Sequence, residues 1–393
     1  MDKCKMKKYV VISNFKLRQP NRGNAALCYG SFSFLLEKGL LQKGQSIANF
    51  RIFRKFWKRR NWRSCSETID MAGEKWEFEE FPVFFVEAWL IKRFGIILPF
   101  TPFGRHVKDV ALEAADYGGD GFSDIYGTPL FFSRMNQTEL LRKANVPLIM
   151  LPQTIGPFKD KQNERVAQDV IRYASEVYVR DRAYVKELDK AGIKYTVTKD
   201  ISAFMKPQTW DIDIKDNAVG LNVSGLAYHN NFKDLAGQFD AYPELIDRII
   251  SHFQQKGCNV YLIPHSYDYQ LPDDNDDMTA CREAYNRHAD KAGLYVVDKD
   301  MLAPEVKYVI SRMTFFMGAR MHANFAAIYT GVPVFGMAYS YKFAGAFAAN
   351  GLDSAKQTAM INNLSCEDID SYIAKIDSFY RNTSNLNTCK SRG

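Results

Sequence analysis

The chain has 393 residues, of which 46% are hydrophobic and 25% charged, and its formal net charge is +7. That length allows two domains, each with its own core, and that composition excludes a disordered or fibrous chain. The positive balance favours an anionic partner without choosing among nucleic acid, an acidic membrane face and a phosphorylated substrate. The seven cysteines are scattered, odd in number and free of any Cys-x-x-Cys pair. No zinc site or disulfide framework is expected from them, and a reducing cytoplasm fits. The N-terminus passes from lysines straight into a short strand, without the apolar run and cleavage site of a signal peptide.

Residues 8–13, KYVVIS, read as the first strand. The Asn-Arg-Gly-Asn turn at 21–24 leads into a helix over about 25–38. Gly23 lets the backbone come close to a ligand and Asn24 can cap the helix, although a plain strand-to-helix loop has the same appearance. Residues 50–63, FRIFRKFWKRRNWR, hold seven basic groups, no acid and five interleaved aromatics. Such a stretch suits an anionic membrane surface, and it suits single-stranded nucleic acid by backbone attraction and stacking. It equally fits an amphipathic helix with its aromatic stripe packed inward; of the two ligands, the membrane is favoured and no nucleic acid is expected. The most apolar stretch, 81–100, is interrupted by Glu87, Lys92 and Arg93 and bounded by prolines, which argues against a spanning helix. It is a candidate to join the same surface.

Residues 116–127, DYGGDGFSDIYG, form a glycine-rich turn before a helix that includes 134–143. Ser123 and Asp124 are short polar side chains able to meet sugar hydroxyls there. Residues 146–153 read as a buried strand ending at Gln153, placed to point into a cleft. Residues 177–182, VYVRDR, read as a short strand ending in Arg180, a candidate ligand contact, with Asp181 as its structural partner. The polar stretch 207–217 reads as an interdomain linker. A second series of strands and helices follows: strand 218–225, helix 241–256, and strand 259–266, with His265 near its end. The acids of PDDNDDM, 272–278, lack the spacing of a calcium loop and read as solvated. Residues 295–300 give one more strand and 304–311 a helix, and the tail beyond 352 reads as helical and then flexible from about 382.

The rest is organised around residues 316–342, FMGARMHANFAAIYTGVPVFGMAYSYK. They read as an apolar strand, a turn, a helix over 323–330 ended by Gly331, and a further strand. Arg320 and His322 fall at the turn. In a parallel sheet such turns line the ligand-binding edge, and a helix N-terminus there favours an anion. Arginine adds a planar fork for carboxylate or phosphate, and histidine a proton that titrates near neutrality.

This stretch resembles the signature of the polysaccharide pyruvyl transferase family: Arg-x-His, then Gly-Val-Pro, then Tyr-Ser-x-Lys at Tyr339, Ser340 and Lys342. The Gly-Asn turn, LPQTIGPF at 151–158 and VRD at 179–181 match in the same order, and a similar Gly-Gly turn precedes Ser123-Asp124. The resemblance implies an α/β fold with two Rossmann-like domains facing across a cleft, GT-B-like. The expected domains are 1–206, on the acceptor side, and 217–381, on the donor side, followed by a flexible tail over 382–393. It implies transfer of pyruvate from phosphoenolpyruvate to two sugar hydroxyls as a ketal, with phosphate released and no metal or further cofactor. His322 is the expected proton-transfer group and His265 the second, on the leaving phosphate. Arg320, Arg180 and Lys342 are the expected cations. The expected acceptor is a lipid-linked glycan at the inner face of the cytoplasmic membrane; the oligomeric state is left open. A nucleotide-sugar glycosyltransferase of the same architecture and a non-catalytic membrane-associated assembly factor remain as alternatives.

Overall fold

The computed structural model describes residues 7–53, 62–71, 73–232 and 235–390, with side chains up to residue 383. The chain divides into two units: Met1–Lys16 with Leu27–Met205, and Leu17–Ala26 with Lys206–Gly393. The second unit takes in Leu17–Ala26, which by position in the sequence reads as part of the first domain.

The first unit contains β1 (Tyr9–Ile12), most of α1 (Arg22–Glu37), β2 (Ser46–Phe53), β3 (Cys65–Met71), β4 (Glu74–Phe84), α2 (Phe85–Phe94), α3 (Pro102–His106) and β5 (Val110–Ala115). It continues with α4 (Thr128–Lys143), β6 (Leu148–Gln153), α5 (Lys161–Tyr173), β7 (Glu176–Val179), α6 (Val185–Lys190) and β8 (Thr196–Val197). Its strands lie in the order β3-β4-β2-β1-β5-β6-β7-β8, and only the β3–β4 pair is antiparallel. Every residue of β1 and β6 is buried, as expected for strands covered on both faces. The β3–β4 hairpin escaped the sequence reading because β3 is largely exposed and acid-rich, with no apolar run to mark it.

The second unit contains β9 (Ala218–Asn222), α7 (Gly225–His229), α8 (Tyr242–Gln255), β10 (Asn259–Leu262), α9 (Asp277–Arg287), β11 (Leu294–Val296), α10 (Ala303–Ser311) and β12 (Phe315–Gly318). Then come α11 (Met321–Thr330), β13 (Val334–Ala338), α12 (Lys342–Ala349), α13 (Ser354–Gln357), β14 (Thr358–Met360) and α14 (Ile369–Lys390). The order β11-β10-β9-β12-β13-β14 is fully parallel. Alternation along the strands divides the apolar side chains between two cores. Val219, Leu221, Phe315 and Met317 pack on one face, and Ala218, Tyr261 and Phe316 on the other. Counted in chain order, the six strands read third, second, first, fourth, fifth, sixth, so the switch point lies between β9 and β12. α14 runs through the positions expected to be flexible from 382 and reaches Lys390.

Segment 17–26 is tied into the second unit by its backbone and by Arg22. Asn21 bridges Ser266, the Arg22 amide donates to the His265 carbonyl at 3.0 Å, and the Tyr267 amide donates to Pro20. The buried Arg22 guanidinium donates to the carbonyls of Met301 (2.7 Å), Gln19, Pro20 and Tyr267 and to Asp300 (2.9 Å). It also stacks 4.0 Å from the Tyr267 ring centre. The polar stretch after Lys206 is likewise held on this unit, with Trp210, Ile212 and Ile214 packed against its core.

At the switch point of the first sheet, between β1 and β5, the buried Glu113 accepts from the Ser13 and Thr138 hydroxyls, both at 2.9 Å. Burial pushes its carboxyl up to about 7. A folded-state value above the unfolded one means that ionisation of Glu113 opposes folding as pH rises through that value. Glu113→Gln is therefore expected to melt higher than wild type at pH 8 and to show a smaller loss of stability between about pH 5 and pH 8. Equal melting temperatures at pH 8 would contradict this.

Candidate functional site

The chain builds a buried polar cluster at the carboxyl ends of β9, β10 and β12. Asn222, the last residue of β9, is fully buried; its Oδ1 accepts from the Arg320 amide (2.9 Å), and its Nδ2 donates to the Ile263 carbonyl and to Asp277. Arg320 is the N-cap residue of α11, which begins at Met321, two residues earlier than the sequence pattern suggested. Asn324, also fully buried, donates to the carbonyls of Gly318 and Arg320 and closes this strand-to-helix turn.

Asp277 organises the cluster. It lies in the acidic stretch read from sequence as a solvated loop, yet it is 0% exposed. Its carboxylate accepts from the backbone amides of Gly225 (2.9 Å), His265 (3.0 Å) and Ser266 (2.9 Å). It also takes Arg320 Nη2 at 2.7 Å and Nε at 3.1 Å. Asp276 beside it caps α9 through the Thr279 amide. The signal in the sequence was a helix cap, Asp-Asp-x-Thr, and not a metal loop. Arg320 Nη2 further donates to the carbonyl and side chain of Asn275, at 2.9 and 2.7 Å. Burial disfavours the Arg320 charge, but Asp277 outweighs it and leaves the guanidinium more firmly protonated than usual. Only Nη1 makes no hydrogen bond among the described residues. Arg320 is therefore an oriented, charge-balanced donor and not a free cation.

His322 stands in the first turn of α11, against the first turn of α1. A Cβ at Gly23 would lie 2.7 Å from His322 Nδ1 and 2.8 Å from its Cγ. Only glycine admits the ring at that distance. This gives Gly23 its role: it receives His322, and it belongs to the helix and not to a loop, since α1 starts at Arg22. Asn24 is exposed, and its side chain makes no hydrogen bond among the described residues. His265 is 4% exposed. Burial, helped by the charges of His322, Arg320 and Arg22, holds its imidazole well below its ordinary range, so it is neutral at physiological pH. Two histidines and Arg320 thus converge. Tyr339 and Ser340 follow β13 directly, and Lys342 opens α12.

The first unit gives several predicted contacts a different role. Gln153 is fully buried. Its amide donates to the carbonyls of Ala115 and Leu151 and accepts from the Tyr117 amide, so no group is left for a ligand. Ser123 is buried and donates to the Asp120 carbonyl. Asp124 accepts from the amides of Lys159 and Asp160 and from Asn163, which hold its carboxyl below the usual range against the opposing effect of burial. It ties the start of α5 to the glycine turn. Arg180 pairs with Asp200 at 2.7 Å and donates to Thr154 at 2.9 Å, whereas Asp181 lies 3.8 Å away. Asp200, then, and not Asp181, is its main structural partner. At Gly119 (φ +75°) a Cβ would stand 2.8 Å from Arg180 Nη1, which explains the second glycine of the turn. Asp116 accepts from the Gly118 and Gly119 amides, and burial raises its carboxyl to about 6. Most of the basic-aromatic stretch, residues 54–61, lies outside the described residues. Among the described residues no helix is long and apolar enough to cross a membrane.

Solved structures similar to this one include two enzymes named for sugar substrates. UDP-GlcNAc 2-epimerase from Methanocaldococcus jannaschii aligns with a TM-score of 0.54 at 8% identity, covering 95% of this chain and 92% of that one. An alpha,alpha-trehalose-phosphate synthase (UDP-forming) from Burkholderia vietnamiensis aligns over 96% of both chains at 10% identity, with a TM-score of 0.41. At 8% identity the epimerase alignment shows the fold alone: α/β, with two Rossmann-like domains of the GT-B type. The sequence profile described as polysaccharide pyruvyl transferase matches residues 21–341. That span begins at the Asn21 turn and ends in the Tyr-Ser-x-Lys segment, so it takes in the whole cluster around Arg320 and His322. The chain belongs to the polysaccharide pyruvyl transferase family, a family of transferases.

Proposed function

We propose that the protein transfers pyruvate from phosphoenolpyruvate to two hydroxyls of a sugar as a ketal, with release of phosphate. The acceptor in this reading is a lipid-linked precursor of a surface polysaccharide at the inner face of the cytoplasmic membrane. One observation carries the reading: an oriented Arg320, a neutral His265 and His322 seated on Gly23 converge at the carboxyl edge of the second sheet. The family of the chain supports it.

In this proposal Arg320 Nη1, together with Lys342 and the first turn of α11, receives the carboxylate or phosphate of the donor. His322 gives a proton to the methylene carbon, which becomes a methyl group and leaves the central carbon electrophilic. The first sugar hydroxyl adds to that carbon and its proton goes to His265, whose neutral state suits a base better than a donor to the leaving group. The bond from the central carbon to the phosphate oxygen breaks with its electron pair on oxygen. The second hydroxyl closes the ketal and its proton restores His322, while His265 passes its proton to the released phosphate. No resident metal or cofactor takes part in this reading.

Binding gives the first test. Phosphoenolpyruvate at about a hundredfold excess over its Kd should stabilise the protein by about 2.7 kcal/mol, read as a rise in melting temperature. Arg320→Ala should abolish the rise. Stabilisation by UDP-sugars and none by phosphoenolpyruvate would move the assignment to a nucleotide-sugar glycosyltransferase.

A further inference from the structure

The first unit carries an apolar surface that the reaction does not use. Along α2, Phe85 and Trp89 are 55% and 53% exposed on one face; the following turn presents Phe94 and Phe100, 57% and 66% exposed. Val86 and Ile96 are exposed with them. Single exposed apolar residues need no explanation, but a contiguous set of large ones does.

The set is built and held in place. Glu87, the only acid in 85–100, turns inward to 2% exposure, where the Thr101 hydroxyl donates to it. The Thr101 hydroxyl also lies 2.8 Å from the Leu98 carbonyl and accepts from the Gly104 amide as the cap of α3, which fixes the turn that carries Ile96 and Phe100. Burial raises the Glu87 carboxyl, consistent with its removal from water. The outward face of α2 is left with aromatics and bases. Arg93 is exposed over the Phe94 ring, and Lys92 reaches Glu139 at 2.6 Å. A groove of about 350 Å³ opens among Ile52, Phe85, Ala88, Trp89, Lys92 and Arg93. The Trp62 ring lies 4.4 Å from Phe84, the residue before α2. In the sequence, residues 54–61 between Phe53 and Trp62 have five Arg or Lys and no acid.

We infer that α2 and the 95–100 turn form a docking surface for an anionic lipid bilayer, with Phe85, Trp89, Phe94 and Phe100 entering the headgroup region. Aromatic rings beside the exposed Arg93, with the only acid of 85–100 withdrawn, match the chemistry of that interface. A second copy of the chain would bring the same bases against each other and lacks this complementarity. The inference extends the lipid-linked acceptor reading, because it brings the enzyme to the surface where such an acceptor resides.

The test is co-sedimentation of the full chain with phosphatidylcholine vesicles, with and without phosphatidylglycerol. Wild type should bind the anionic vesicles and release as sodium chloride rises from about 0.05 to about 0.5 M. A Trp89→Ser/Phe100→Ser protein should partition about tenfold or more weakly. Arg93→Glu should weaken binding at low salt only. Both should melt like wild type and release phosphate from a water-soluble acceptor at the wild-type rate, which separates failure of this surface from failure of the assigned reaction. Absence of binding by wild type would overturn the inference, as would equal binding by the double variant. So would preference for single-stranded RNA over vesicles, or a dimer in solution that the double variant dissociates.

Discussion

Asp277→Ala is expected to lower stability by about 3–5 kcal/mol and to abolish turnover, an effect far beyond that of an ordinary surface aspartate. The reason lies in what the carboxylate collects. Three backbone amides, Asn222 and the Arg320 guanidinium all donate to it in a fully buried position. Truncation leaves Arg320 buried without its counter-charge and frees the turn that positions His265. Asp277→Asn keeps the shape but replaces an acceptor with an amide donor facing other donors. It should fold with an intermediate loss and still release little phosphate. Denaturant midpoints with unchanged slopes, read beside phosphate release, check both variants. An alanine variant within about 1 kcal/mol of wild type, with turnover intact, would remove Asp277 from the account.

The second large effect concerns the contact between His322 and Gly23. His322→Ala should cost about 10²–10⁴ in turnover with a small change in stability, as expected for a positioned proton-transfer group. Gly23→Ala is the sharper probe. In the first turn of α1 the better helix propensity of alanine, roughly 1 kcal/mol, works against the steric cost of its Cβ, so the net change in stability should be about 1–2 kcal/mol at most. That Cβ would lie 2.7 Å from His322 Nδ1, and the ring must move. A displacement well under an ångström is enough to reduce turnover about tenfold or more where geometry is set for reaction. Turnover is then expected to fall far more than stability. Equal turnover in Gly23→Ala and wild type would mean that this approach has no part in the chemistry.

Much of this was legible in the chain itself. The apolar runs at 146–153, 218–225 and 316–318 contain strands whose residues are buried, and such runs carry their own signal. The Arg-x-His turn stood out because strand, turn and helix follow one another within a few residues. What the sequence did not disclose depends on pairings across long separations. Asp277 sits in a string of acids whose local pattern is that of a solvated loop, and its burial follows only from the approach of Arg320, His265 and Gly225. Segment 17–26 reads as part of the first domain by position, but Arg22 also places its donors on residues 245 to 279 positions away. Gln153 and Asp124 occupy the places expected of ligand contacts, at a strand end and a turn. There, local backbone amides and carbonyls take up the polar atoms that a ligand would need. Arg180 illustrates the same limit. Its neighbour Asp181 looked like its partner, while Asp200, twenty residues on, holds it at 2.7 Å.

The central claim is pyruvyl transfer at the Arg320–His322 cluster. Its most direct test is phosphate release from phosphoenolpyruvate across a panel of lipid-linked and nucleotide-linked sugars, comparing wild type with His322→Ala. The account predicts release that requires an acceptor, produces a ketal carrying the pyruvate carbons, and is lost in the variant. Acceptor-dependent release by His322→Ala at the wild-type rate would contradict it.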